Sequence, residues 1–424
     1  MIKKATAKKH IVLLDTHAII HRAYHALPEF TGPTGAPTGA LYGLVSMLLK
    51  IIADLKPDYI AACYDLPKPT IRHEAYEGYK ATRVKMEDAL ALQIQESRKV
   101  FEAFSIPTYE RAGFEADDLL GTIAHELRDE KEVDVIIASG DMDTLQLVDG
   151  TRVRVYTLKK GINDTILYDE KAVIARFGFS PELIPDWKGL RGDPSDNIRG
   201  VPGIGEKTAT ELIIGFGSIE KIYAALKKSD AAFVKKGVKA RMIGLLKEHE
   251  EDARFSKSLA TIRLDAPIAF ALPAHTWDKN VDLGKVLALF DEFGFRSMRD
   301  RARTVLAHSV GEEHTSENEP EVVAEEVDPT ALKKAQVKLW LLASDFTNPT
   351  LDDILAYTKK TKFIEADTEL SKLIRGAGRL QEVYEKIEEP LIPVVEKMTE
   401  RGVLIDPAVL KTLATRYSAD LKQI

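Results

Sequence analysis

Three short apolar runs in this chain each end on an aspartate: HIVLLD (10–15), YIAACYD (59–65) and DVIIASGD (134–141). Runs of that length, separated by helix-length segments, read as strands of a buried parallel sheet. Such a sheet presents its ligand site beyond the carboxyl ends of its strands. Asp15, Asp65 and Asp141 therefore fall on one edge, and a fourth cluster, FEADD (114–118), opens a helical pattern beside them. The full candidate set is Asp15, Asp65, Glu115, Asp117, Asp118, Asp141, Asp143, Asp193 and Asp196. That many like charges on one edge raise one another's pKa values. Divalent cations remove the conflict, and all-oxygen ligation favours Mg2+ or Mn2+.

The expected fold class is α/β: a mostly parallel sheet with flanking helices over 1–178, where strand and helix signals alternate. A second, helical domain is expected over 179–305, then an acidic linker over 306–330 and a helical segment over 331–424. The linker contains GEEHTSENEPEVVAEEVD (311–328), with eight acidic residues and no Lys or Arg. Low hydrophobicity and one-sign charge mark it as disordered. The net charge of −7 looks wrong for a nucleic-acid binder, but without those eight acids the remainder carries +1. The single cysteine, Cys63, lies in an apolar strand and reads as a core thiol, so a disulfide framework is excluded. No run is long enough to span a membrane, and no signal-peptide pattern is present.

RGDPSDNIRGVPGIGEKTATEL (191–212) carries a short Gly-rich turn leading into a helix. Gly203 and Gly205 allow close approach of a phosphate to the backbone, and the helix start offers free N–H groups. Lys207 adds charge, with Thr208 beside it. This is the logic of a helix-hairpin-helix, which grips a backbone without reading bases. A second basic segment, TIRHEAYEGYKATRVKMEDAL (70–90), interleaves Arg72, Lys80, Arg83 and Lys85 with Tyr76 and Tyr79. Cations there suit phosphates, and Tyr79 suits a splayed base; the plainer reading is a solvated amphipathic helix. Arg22 lies two helical turns after Asp15. His17, His21 and His25 recur every four residues, but hard oxygen ligands dominate their surroundings and argue against a metal role.

LLDTHAIIHRAYHALP, PTGALYGLVSML, YDLPKPTIRHEAYEGYKATR, GFEADDLLGTIA, ASGDMDTLQLV, GDPSDNIRGVPGIGEKTA and LATIRLD run in order over about 1–305. In them the chain resembles the N-terminal 5′-nuclease region of bacterial DNA polymerase I, in the flap-endonuclease superfamily. The resemblance implies a PIN-like core and a structure-specific 5′-3′ exonuclease or 5′-flap endonuclease working with two divalent cations. Asp15, Asp65, Glu115 and Asp117 correspond to ligands of the first metal. Asp141, Asp143 and Asp196 correspond to ligands of the second, with Asp118 and Asp193 close by. Lys80, Arg83 and Arg22 correspond to catalytic cations. Arg72, Tyr79, Lys85, Gly203, Gly205, Lys207 and Thr208 correspond to DNA contacts, with a monovalent cation, K+, as an added option at the hairpin turn. Expected partners are DNA with 5′ flaps, nicks or 5′ ends, RNA primers on DNA and a separate polymerase, in a bacterial cytoplasm at the nucleoid. The implied roles are primer removal in lagging-strand replication and DNA repair.

Residues 339–357 and 385–424 resemble the end of a proofreading-type domain and the start of a polymerase domain. Nothing matches their catalytic carboxylates, so no polymerase activity is expected, and 1–305 is expected to suffice for cleavage. A DNA-binding module with a dead site conflicts with the complete carboxylate set. A small α/β ribonuclease conflicts with the long basic segment and the hairpin turn. An aspartyl phosphatase conflicts with Asp15-Thr16-His17, which lacks a second aspartate.

Overall fold

Each of the three apolar runs forms a strand in the computed structural model, which describes residues 8–27, 30–83, 86–160, 164–310, 327–343, 349, 351–358, 360, 362–402, 410, 412–413 and 416–417. The strands are β1 (Lys9–Asp15), β2 (Tyr59–Tyr64), β3 (Thr108–Glu110), β4 (Val133–Ala138), β5 (Val153–Lys160) and β6 (Asp164–Tyr168). They form one sheet in the order β3-β2-β1-β4-β5-β6. All neighbours are parallel except β5 and β6. Strand order reverses at β1, which pairs with β2 on one side and β4 on the other. The carboxyl ends at that reversal are where such sheets bind ligands.

Two compact units divide the chain, Met1–Glu313 and His314–Ile424. The helices of the first are α1 (Thr16–Ala26), α2 (Gly39–Leu55), α3 (Ile71–Ala75), α4 (Asp88–Ala103), α5 (Ala116–Glu126), α6 (Glu170–Phe177) and α7 (Ile184–Arg191). Then follow α8 (Glu206–Phe216), α9 (Ile219–Lys228), α10 (Ala231–Lys235), α11 (Ala240–Glu248), α12 (Glu250–Ala260), α13 (Leu283–Phe293) and α14 (Arg299–Val310). Side chains alternate across the strands, so the sheet feeds two cores. Ile11, Leu13, Cys63, Val135 and Ile137 pack with α5, α7, α8, α9 and α12. Val12, Leu14, Ala62, Tyr64 and Ile136 pack with α1, α2, α4, α13 and α14. Each fully buried Leu or Ile contributes about 1.5–3 kcal/mol, which explains why β1, β2 and β4 carry unbroken apolar runs. Cys63 is buried and free, as expected. The N-terminus of α2 is capped from a distance: Gln93 of α4 accepts through Oε1 from the Ala40 (2.7 Å) and Leu41 (3.4 Å) amides.

Residues 179–305 do not pack as a body of their own. The part through α12 covers one sheet face, while 277–306 returns to the opposite face. There Trp277 donates through Nε1 to the Phe104 carbonyl (2.7 Å), and its amide donates to the Asp58 carbonyl (2.7 Å). The expected end at 305 also moves outward, because Leu306 is 1% exposed and part of that core.

The second unit contains α15 (Pro329–Leu342), α16 (Leu351–Thr358), α17 (Phe363–Gly376), α18 (Arg379–Val383) and α19 (Glu389–Arg401). Ala335, Leu339, Ile354, Phe363, Ala366 and Leu370 form its core. Lys338, buried beside it, donates to Asp367 and Ser371, both at 2.8 Å. Most of the expected acidic linker, 311–326, lies outside the described residues. Among the described residues no helix is long and apolar enough to cross a membrane.

Candidate active site

Asp15 ends β1 and caps α1, accepting from the Ala18 amide (3.1 Å) and from the Ser139 hydroxyl (2.6 Å). The same Ser139 oxygen accepts from the Asp141 amide (2.9 Å), so one hydroxyl ties the ends of β1 and β4 together. Asp65, just past β2, accepts from the Ala116 amide at the start of α5 (2.7 Å). Its own amide donates to Nδ1 of His17 (3.2 Å). His17 thus holds the Asp65 loop through Nδ1 as acceptor, which places its one ring proton on Nε2. Glu115 is the N-cap of α5, which sets Asp117 in the first turn of the helix.

Electrostatics places these groups together. Burial pushes the Asp15 carboxyl up to about 7, and Asp65 and Asp141 push the same way. Burial, then Asp15, Asp141, Asp65 and Glu115, drives the Asp117 carboxyl well above the usual carboxylate range. Asp143 rises to about 7 through burial and Asp141, with Lys188 opposing. Two lobes result, with Asp141 adjoining both: Asp15, Asp65, Glu115 and Asp117 on one side, Asp143 and Asp193 on the other.

Asp196 and Asp143, expected to share one metal, make separate contacts in the structure. GDPSDN closes as a tight hairpin, with Asp193 and Ile198 exchanging both backbone hydrogen bonds at 2.8 Å. Gly200 makes this closure: at φ +63° it lies so near Gly192 that a Cβ would meet the Gly192 nitrogen at 2.2 Å. The hairpin sends its two aspartates in different directions. Asp193 joins Asp143 through Lys188, whose ammonium contacts both. Asp196 turns to the basic segment, accepting from Arg83 (2.6 Å) and from the Tyr79 hydroxyl (3.3 Å), with Lys80 at 4.0 Å.

Three further expectations change. Asp118, expected near the metals, is gripped by Arg72 in a two-pronged pair (2.8 and 2.7 Å). The Glu115 (3.1 Å) and Arg263 (2.8 Å) amides donate to it as well. Arg72, expected to meet DNA, is buried, and its other donors reach the Leu259 and Thr261 carbonyls (both 2.9 Å). Tyr79 is 3% exposed, with its hydroxyl on Glu115 (3.2 Å) and Asp196, so no ring face is offered to a base.

The segment 70–90 is not one helix; after the five-residue α3, residues 76–83 run as turns pinned to the GDPSDN hairpin. Asn197 donates to the Gly78 carbonyl (2.7 Å), and the Lys80 amide donates to the Asp196 carbonyl (2.9 Å). Lys80 takes φ +55°, a left-handed conformation that costs a non-glycine residue about 1–2 kcal/mol. Its ammonium is thereby brought onto Glu115 (2.8 Å). Lys85 lies outside the described residues.

Two openings flank the carboxylates. One, of about 660 Å3, is lined by Asp15, His17, Asp65, Lys80, Arg83 and Asp117 among others. The other, of about 860 Å3, is lined by Arg22, Asp141, Asp143, Arg176, Lys188 and Arg191, and it reaches Glu206 at the start of α8. Gly205, Glu206 and Lys207 are exposed there, Thr208 is half-buried, and no side chain caps the helix. Gly203 takes φ +80°, and a Cβ on Gly205 would meet open space.

Among the described residues no three carboxylate or imidazole groups converge on a single ion-binding point as they stand. Two ammonium groups, of Lys80 and Lys188, draw the carboxylates to themselves instead. The donor set still fits hard cations. Asp117 accepts no hydrogen bond and meets no cation among the described residues, although four carboxylates surround it. Lys188 and Ser139 were missed from sequence; Ser139 sits inside the ASGD run, but nothing local marks Lys188.

A pH effect follows from the raised carboxyls. Asp15 and Asp143 titrate near 7 in the folded chain and near 3.8 unfolded, so the folded state binds more protons between those values. Their contribution is complete below about pH 4 and is lost as pH rises through 7. In EDTA, Tm should fall on the order of 5 °C between pH 5.5 and 8, and saturating Mg2+ should abolish the fall. A flat or rising metal-free Tm in thermal unfolding scans would contradict the clustering.

Two family models match the chain. The 5′-3′ exonuclease N-terminal resolvase-like domain covers residues 10–178, and the 5′-3′ exonuclease C-terminal SAM fold covers 179–281. DNA polymerase I of Bacillus caldotenax is 41% identical over 294 residues, 69% of this chain and 32% of that protein. The Bacillus subtilis protein of the same name is 37% identical over 298 residues, 70% of this chain and 32% of that one. The chain thus spans about a third of the length of these curated relatives. A solved T5 5′-exonuclease with zinc bound is 21% identical, with a TM-score of 0.48, covering 71% of this chain and all of that one.

Proposed function

Because the chain belongs over residues 10–281 to the 5′-3′ exonuclease family, we propose that it hydrolyses DNA phosphodiesters at 5′ ends and 5′ flaps, leaving 5′-phosphates. The observation that carries this reading is the half-buried Asp117 carboxylate, ringed by Asp15, Asp141, Asp65 and Glu115 and without a counter-charge among the described residues. Asp15, Asp65, Glu115 and Asp117 would hold one divalent cation, Asp143 and Asp193 another, with Asp141 between them. When bound, such cations lower the pKa of water and neutralise charge on the leaving oxygen, in the manner of two-metal hydrolases.

The chain's own cations do the rest. Lys80 and Arg83 rest on Glu115 and Asp196 and exchange those carboxylates for the phosphate as it enters. With Arg22 they offset the charge that develops on it. The uncapped start of α8, with Gly203, Gly205, Lys207 and Thr208, holds the duplex backbone. His17 spends Nδ1 on the Asp65 amide, so that nitrogen is not available as a base. In the cell the metal would be Mg2+ or Mn2+, with K+ as an option at the α8 turn. The substrates would be flaps, nicks and RNA primers on DNA. The work would be primer removal and repair at the bacterial nucleoid, beside a separate polymerase.

A labelled 5′-flap duplex tests this. Short 5′-phosphorylated products should appear with Mg2+ and vanish in EDTA, while primer extension on the same preparation stays at background. Extension without flap cleavage would reverse the assignment.

A further inference from the structure

We infer that Lys188 is the resident counter-ion of the Asp143–Asp193 lobe and competes for these carboxylates with the divalent cation they would hold. The inference rests on the functional reading above. Lys188 lies on α7, its side chain is 8% exposed, and its ammonium contacts Asp143 Oδ1 and Asp193 Oδ2 together.

The lobe around it is rigid. Asp193 is fixed by the backbone bridge to Ile198 and by Ser195, whose amide (2.9 Å) and hydroxyl (2.6 Å) both donate to Oδ1. That leaves Oδ2 as the free ligand atom of Asp193, and Lys188 occupies it. The stem of α7 is equally fixed: Leu190 is fully buried, and Trp187 donates to Thr210 (2.9 Å). The lysine side chain lines the 860 Å3 opening.

An ammonium and a divalent cation cannot share the same two oxygens, because their mutual repulsion is strong at such separations in a partly buried site. Lys188 therefore keeps the lobe in register when no divalent ion is bound, and swings aside when one binds. The displaced ammonium would settle on an anion entering the opening, of which a substrate phosphate is the natural one. Lys188 is thus a positioning residue acting through Asp143 and Asp193, and it couples filling of this lobe to arrival of the phosphate.

Mn2+ titration of the full chain without DNA, followed by calorimetry and by the electron-spin signal of free Mn2+, tests the idea. Two classes of site are expected in the unaltered protein, one tight and one weak. Lys188→Met and Lys188→Gln should each tighten the weak class about tenfold or more, because they remove a competing charge. Lys188→Arg should leave it weak. A merely structural lesion would loosen the site, so an unchanged or weakened constant in whichever of the Met and Gln variants folds overturns the inference while two-class binding stands. If the unaltered protein bound no Mn2+ at millimolar concentration, the functional reading would fall first.

Discussion

Replacing Asp117 by asparagine should cut 5′-flap cleavage by about 10^3-fold or more while leaving the metal-free fold as stable as before, or more so. The loss is that of a ligand whose cation supplies several kcal/mol of charge stabilisation, and each 1.4 kcal/mol is about tenfold in rate. The gain in stability follows from the environment: Asp117 is half-buried among four carboxylates and paired with no cation among the described residues, so the change removes repulsion and keeps shape. Cleavage rates at saturating Mg2+ and Tm in EDTA check both halves together. Near-normal turnover would sink the metal assignment. A large fall in Tm would mean that Asp117 is a structural anchor instead.

Arg72→Met should cost about 3–5 kcal/mol in denaturant unfolding, the usual penalty for leaving one member of a buried ion pair behind. Asp118, at 1% exposure, would lose the guanidinium that engages both of its oxygens. The Leu259 and Thr261 carbonyls would lose their donors, loosening the end of α12 from α5. The double variant Arg72→Met, Asp118→Asn should recover part of the loss, because it removes the lone buried charge while its amide oxygen still accepts from the Glu115 and Arg263 amides. If Arg72 were instead a phosphate contact, stability would hold and only the salt dependence of DNA binding would change.

These residues mark where sequence reading stops. Asp15, Asp65 and Asp141 could be placed because each ends an apolar run whose direction is fixed by the parallel sheet. Arg72 and Asp118 could not be paired: they are 46 positions apart, and an arginine in a basic segment gives no sign that it is buried. Asp193 and Asp196 are three residues apart on a turn, and only the backbone bridge to Ile198 decides which lobe each one faces. Lys188 looked like an ordinary helical lysine until the fold set Asp143 against it. The return of 277–306 to the far sheet face was hidden because its amphipathic helices suit any apolar surface.

That return has a consequence for the chain as it is being made. Trp277 closes onto Phe104 across 173 residues. At roughly 5–20 residues per second of synthesis, the apolar face shared with α2 and α4 waits about 10–35 s for its cover. Through that interval the ribosome would carry a half-clad sheet, the kind of surface that chaperones grasp and proteases probe. Nascent chains arrested before residue 277 should be cut readily within α2 and α4, and chains released past 313 should resist. Equal resistance would mean that the first hundred residues already hold their own shape.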